Sequence, residues 1–280
     1  MRLVSYDVGG GPRAGQLIDD KIFDLWGHGE PIREEDRTLS ALLRAGLLND
    51  LEPAPGDGLP LESVALLPPV GDPGKIVCIG LNYRTHAAEA GIDPPERPTF
   101  FAKFANALAA PGATVRLPEG TEKVDYEAEI AVVIGARCSR VEPDAALEHV
   151  AGYTLFNDLS ARDWQFATPQ WMPGKVFDGA APCGPALVTQ DDAGAHDAIE
   201  FRLQLNGEVM QDASTADLVH SVPELIAHLS TLMTLEPGDV VATGTPSGVG
   251  SVREPRVWLK PGDEVVISSP TLGELRTTIA

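Results

Sequence analysis

The stretch Val124-Asp125-Tyr126-Glu127-Ala128-Glu129-Ile130-Ala131-Val132-Val133-Ile134-Gly135 decides how this chain is read. Its second half is an unbroken apolar run rich in β-branched residues and closed by glycine, which reads as a buried strand. On a strand, Glu127 and Glu129 point to the same face, with Cα atoms about 6.5–7 Å apart. Two carboxylates at that separation repel unless a cation draws them together. Taken alone, the pair also fits an exposed strand start with two solvated glutamates.

A second strand-like run, Tyr153-Thr154-Leu155-Phe156-Asn157-Asp158, ends in a third carboxylate. Acidic oxygens from two strand ends, completed by water, suit Mg²⁺ or Mn²⁺ and leave positions open for substrate. Zinc prefers His and Cys, and no such cluster appears. Further strands are marked by Ile76-Val77-Cys78-Ile79, and by Asn206-Gly207, which signals a type I′ hairpin inside Phe201–Met210. Two more should start after the turns Pro237-Gly238-Asp239 and Pro261-Gly262-Asp263. Ser221 and Glu224 form a capping box ahead of an apolar helix face. Strands outnumber helices and do not alternate with them. The fold class is therefore β-rich α+β.

Toward the N-terminus, residues 1–24 read as a small antiparallel meander, and Leu39, Leu42, Leu43 and Leu47 predict a helix over 38–48. Pro- and Gly-rich runs over 53–60 and 68–74 mark a boundary. The expected organisation is a small N-terminal α/β domain over 1–70 and a catalytic domain over 71–280.

The 280 residues carry 41 acidic and 21 basic side chains, a formal charge of −20. That argues against nucleic acid or an anionic membrane surface as partner, since both need clustered Lys and Arg. A hydrophobic content of 43% with 22% charged residues excludes wholesale disorder. No run approaches the roughly 18 apolar residues of a membrane span, and MRLVSYDVGG lacks a signal-peptide core. Cys78, Cys138 and Cys183 have no CxxC spacing and read as free thiols, which predicts a cytoplasmic protein.

Five ordered blocks stand out: Gly80-Leu81-Asn82-Tyr83-Arg84-Thr85-His86 with Glu89; Asp125 to Glu129; Asn157 to Asp163 with Gln165; Gly174-Lys175; and Gly244-Thr245-Pro246-Ser247-Gly248-Val249-Gly250. Together they resemble the fumarylacetoacetate hydrolase superfamily over nearly all of residues 70–270. The resemblance implies a mixed β-roll, commonly a homodimer, with Mg²⁺ or Mn²⁺ held by Glu127, Glu129 and Asp158. It implies a small-molecule 2-oxo or β-diketo acid as substrate, since a chelating cation polarises the ketone and stabilises an enolate.

His86 and Glu89, three apart on a short helix, can share a face, and a carboxylate beside an imidazole orients it and raises its basicity. In the resembling hydrolases such a pair activates water. Lys175 is expected to stabilise the substrate carboxylate or an oxyanion. Arg162, Gln165 and Thr245 are expected to bind substrate. The loop over 91–98 could hinge a lid. The leading expectation is a metal-dependent hydrolase cleaving a C–C bond in an acylpyruvate-like acid. The alternatives are a 2-oxo acid decarboxylase, a dienoate isomerase or tautomerase, and a non-catalytic homologue. Val176 and Gly179-Ala180 depart from the resembling pattern; lining the pocket, they would make it larger or less polar. His220 and His228 read as partner-satisfied or solvated, and Trp164 and Trp171 as packing residues.

Overall fold

The computed structural model describes residues 1–25, 37–50 and 56–280. Strand Ala128–Ile134 is buried along its whole length, and so is its partner Val150–Asn157. Both faces are covered, so neither strand needs a polar side, and the sequence runs apolar without alternation. They pair antiparallel with Ala128 opposite Asn157 and Ala131 opposite Thr154. On one flank Val240–Ala242 pairs with Ala128–Ile134, then runs parallel to Ile76–Gly80, which pairs with Thr99–Lys103. On the other flank Ala181–Thr189 pairs with Val150–Asn157 and is followed by Arg2–Asp7. Among the described residues these strands belong to one 12-stranded sheet. A second sheet of five strands includes Glu200–Leu205, Glu208–Ser214, Glu264–Ser269 and Gly273–Ile279. The last of these packs against Ala181–Thr189, and one contiguous core joins the two sheets. The architecture is the strand-dominated α+β roll expected from the sequence.

The N-terminal meander forms as Arg2–Asp7, Arg13–Ile18 and Lys21–Asp24. Leu3 stands opposite Leu187, so the large sheet is continuous across residue 70. The helix expected over 38–48 is shorter, Leu39–Arg44. Thr38 Oγ1 accepts the Ala41 N–H at its start, and Gly46 with φ 71° ends the helical path. Leu47 consequently lies beyond the helix. Within the Pro-rich run over 53–60, residues 53–55 lie outside the described residues. The hairpin turns through Asn206 and Gly207 at φ 52° and 84°, as a type I′ turn requires. Helix Val222–Leu232 begins where the Ser221 N–H and hydroxyl both donate to the Glu224 carboxylate at 2.7 Å. Among the described residues no helix is long and apolar enough to cross a membrane. Cys78, Cys138 and Cys183 are unpaired and buried.

Candidate metal centre and cleft

Strand register builds the acidic cluster. Beyond the Ala128–Asn157 pair, the Asp158 N–H donates to Glu127 O at 2.9 Å, which sets Glu127 across from Asp158 with Glu129 one full repeat along. All three side chains are buried, and one carboxylate oxygen from each lies within 4.8 Å of the others. Asn157 Oδ1 accepts the Glu127 N–H at 3.1 Å, and Glu129 Oε2 accepts the Gly244 N–H at 2.9 Å.

Three cations answer these charges, unevenly. Lys175 Nζ donates to Glu127 Oε2 and Asp158 Oδ2, both at 2.7 Å. Lys103 Nζ lies 2.7 Å from Asp158 Oδ1. Arg162 Nη2 lies 2.6 Å from Glu127 Oε1 and 2.8 Å from Asp125 Oδ2. Burial alone would raise the Glu127 carboxyl, but Arg162 and Lys175 outweigh it and hold the group at about 2. Lys175 is raised in turn: burial works against its charge, and Asp158 and Glu127 overcome that. Glu129 differs. Among the described residues it has no ion-pair partner, and burial with the charges of Asp158 and Glu127 pushes its carboxyl well up. A buried carboxyl short of positive charge, in an all-oxygen cluster, fits a hard divalent cation held by Glu127, Glu129 and Asp158.

The triad forms the floor of a cleft of about 170 Å³. Arg162, Gln165, Lys175 and Thr245 also line it. Arg162 is locked, because its Nε donates to Asp125 Oδ2 at 2.9 Å and its Nη1 to Gln165 Oε1 at 2.9 Å. Asp125 is locked in turn by the Gly250 and Ser251 N–H groups at 2.7 and 3.0 Å. A Cβ on Gly250 would stand 2.0 Å from Val257 O, so only glycine brings that amide to Asp125. Thr245 Oγ1 accepts from Gln211 Nε2 at 2.9 Å.

Helix Arg84–Ala90 carries the dyad. The turn ahead of it puts Leu81 at φ 56°, a left-handed conformation uncommon for leucine. Buried Asn82 secures the turn by donating to Thr243 O and His220 O and accepting the His220 N–H. His86 lines the cleft, its Nδ1 3.5 Å from Glu89 Oε2. Glu89 stands behind it and accepts the Gly248 N–H at 3.0 Å.

Two pocket expectations change. Val176 and Gly179-Ala180 are not cleft-lining residues. Gly179 packs on Val115, and Ala180 O accepts from Lys103 Nζ and the Leu159 N–H, so this segment anchors the lysine loop and adds no pocket volume. Trp171 does line the cleft, edge-on to Phe101 with ring centroids 6.1 Å apart. It covers Gly80, where a Cβ would fall 2.5 Å from the indole. His220 Nε2 meets Pro95 O at 3.0 Å, so of the two readings given for it, partner-satisfied or solvated, the first applies.

Sequence reasoning missed Lys103. It is buried among Asp158 and the carbonyls of Leu159, Lys175 and Ala180. The available signal was its alternation with Phe101 on the inward face of one strand.

Known proteins are similar to this chain in sequence and fold. The family model for the fumarylacetoacetate (FAA) hydrolase C-terminal region matches residues 75–280. The chain belongs to the fumarylacetoacetate hydrolase family. The mitochondrial oxaloacetate tautomerase FAHD2A of Bos taurus is 45% identical over 217 residues, covering 77% of this chain and 69% of that one. The fumarylacetoacetate hydrolase structure from Exiguobacterium antarcticum superposes with a TM-score of 0.84 at 31% identity, covering 100% of this chain and 99% of the other. The 2-hydroxyhepta-2,4-diene-1,7-dioate isomerase structure from Mycobacterium marinum gives 0.81 at 30% identity, covering 100% and 98%. Hydrolase, isomerase and tautomerase thus stand among the relatives of this family member.

Proposed function

We propose that this chain is a divalent-metal-dependent enzyme that carries a small 2-oxo acid through its enol form. The observation that supports this most is the buried convergence of Glu127, Glu129 and Asp158 beside Lys175. Mg²⁺ or Mn²⁺ bound there would supply Lewis acidity to a 2-oxo carboxylate. Lys175 has two of its three N–H bonds on carboxylates, and the third serves the oxygen where charge develops. Gln165 keeps its amide N–H₂ for the substrate carboxylate, because its oxygen is bound by Arg162. Thr245 offers its hydroxyl proton in the same way. His86, oriented by Glu89, removes a proton from C3. The C–H electron pair becomes the C2=C3 bond, the carbonyl pair moves to oxygen, and protonation there gives the enol. Atoms balance with no co-reactant, and the 45%-identical tautomerase supports this class.

Hydrolysis of an acylpyruvate is the second reading, favoured by the dyad at the cleft and by the hydrolase with the same fold. There His86 would take its proton from water. Hydroxide would add to the distal carbonyl, the C3–C4 bond would break, and its electrons would leave as the enolate of pyruvate. Decarboxylation would share the enolate and dispense with the dyad.

Deuterium exchange at C3 of 2-oxo acids and cleavage of acylpyruvates, with Mg²⁺ or Mn²⁺, separate these readings. Exchange without cleavage, lost in His86→Ala and Glu127→Ala, is the expected result. Cleavage lost in both variants selects the hydrolase, and CO₂ release that survives His86→Ala selects the decarboxylase. Neither exchange nor cleavage nor CO₂ release overturns the proposal. The proposed working form is a cytoplasmic homodimer, which light scattering tests at the level of assembly.

A further inference from the structure

The cleft changes character from floor to mouth. Its floor is ionic, but its mouth is carbon: Ile92, Phe166 and Val252 are 51%, 66% and 38% exposed there. Phe101 and Trp171 continue the apolar wall inward. The loop bearing Ile92 is tied back through Pro95 O to His220, so this lip has a defined position.

Among the described residues that line the cleft, no cationic side chain is unengaged for a second anion. Arg162 is held by Asp125, Glu127 and Gln165, deep in the cleft. Lys175 is held by Glu127 and Asp158 on the floor. His86 already faces Glu89. The amides of the neighbouring loop are spent as well, Gly248 on Glu89 and Gly250 and Ser251 on Asp125. A carboxylate pressed against this mouth would lose water and meet no unengaged cation. An aryl or alkyl group would gain by covering exposed carbon.

We infer that the 2-oxo acid taken by this chain bears an apolar substituent of aromatic size on C3, in place of a second carboxylate. Phe166 is the residue that selects it. The inference rests on the 2-oxo acid reading and parts from oxaloacetate, the acid in the tautomerase relative's name.

Phenylpyruvate and oxaloacetate share one head and differ at C3, so they form the test pair. Their dissociation constants are measured by calorimetry with saturating Mg²⁺, in wild type, Phe166→Ala and Phe166→Arg. Phe166 is largely exposed, so both variants should fold. The expected result is an about tenfold preference for phenylpyruvate in wild type. It shrinks several-fold in Phe166→Ala and reverses in Phe166→Arg. Tighter oxaloacetate in wild type, or a preference that moves less than about twofold in both variants, overturns the inference. Deuterium exchange is followed on the same samples. Its absence for both acids counts against the enolising reading alone, while the dissociation constants still decide what the mouth prefers.

Discussion

Glu129 and Lys103 occupy opposite ends of the same electrostatic problem. Among the described residues, Glu129 is the triad carboxylate without an ion-pair partner, repelled by Asp158 and Glu127. Glu129→Gln removes that repulsion at nearly constant shape, so the metal-free variant should melt at or above the wild-type Tm. It should also lose the stabilisation that Mn²⁺ gives the wild type, about 2.7 kcal/mol at a hundredfold excess over Kd. Thermal melts with and without Mn²⁺ check both halves. Lys103 is the reverse case, a fully buried ammonium whose loss takes one donor from Asp158 and one from each of the Leu159, Lys175 and Ala180 carbonyls. Lys103→Met should cost about 3–5 kcal/mol in urea unfolding. The carboxylates were legible because spacing on a strand fixes which side chains share a face. Lys103 was not, because a lysine on a strand reads equally as a solvated edge, and its partners lie 55 to 77 residues away.

At the scale of elements, the boundaries that held are those with local chemistry. Helix Val222–Leu232 has its start written in Ser221, Pro223 and Glu224. Ser221→Ala should cost about 1 kcal/mol. The Ser221 hydroxyl and N–H hold the Glu224 carboxyl below its ordinary 4.5. A lowered carboxyl stabilises the fold above its unfolded value, and this contribution disappears as pH falls through the lowered one. Acid titration of the melting temperature should therefore show a smaller loss in Ser221→Ala than in wild type. The group is largely exposed, and salt should weaken the effect. Helix 39–44 fell short of its apolar spacing because Gly46 turns the chain left-handed, and leucine periodicity carries no such information.

At the scale of the whole molecule, the N-terminal strands extend the large sheet. Arg2–Asp7 covers the edge of Ala181–Thr189, with Leu3, Val4 and Tyr6 buried in the shared core. A chain of residues 71–280 alone would expose that edge, and unpaired edges recruit other chains. Gel filtration should find it aggregated or much less stable than the full chain, and a stable, monodisperse fragment would show that residues 1–70 are dispensable for folding.

The sequence by itself determined the strand-rich class, the three carboxylates, the dyad on its helix and the free thiols, because each depends on period, spacing or local turn chemistry. Tertiary structure alone decided which cations meet which carboxylates, that Val176 and Gly179-Ala180 do not line the cleft, and that Ile92, Phe166 and Val252 gather at its mouth. Those are contacts between segments far apart in the chain, and they are set by register and loop path, which no local pattern encodes.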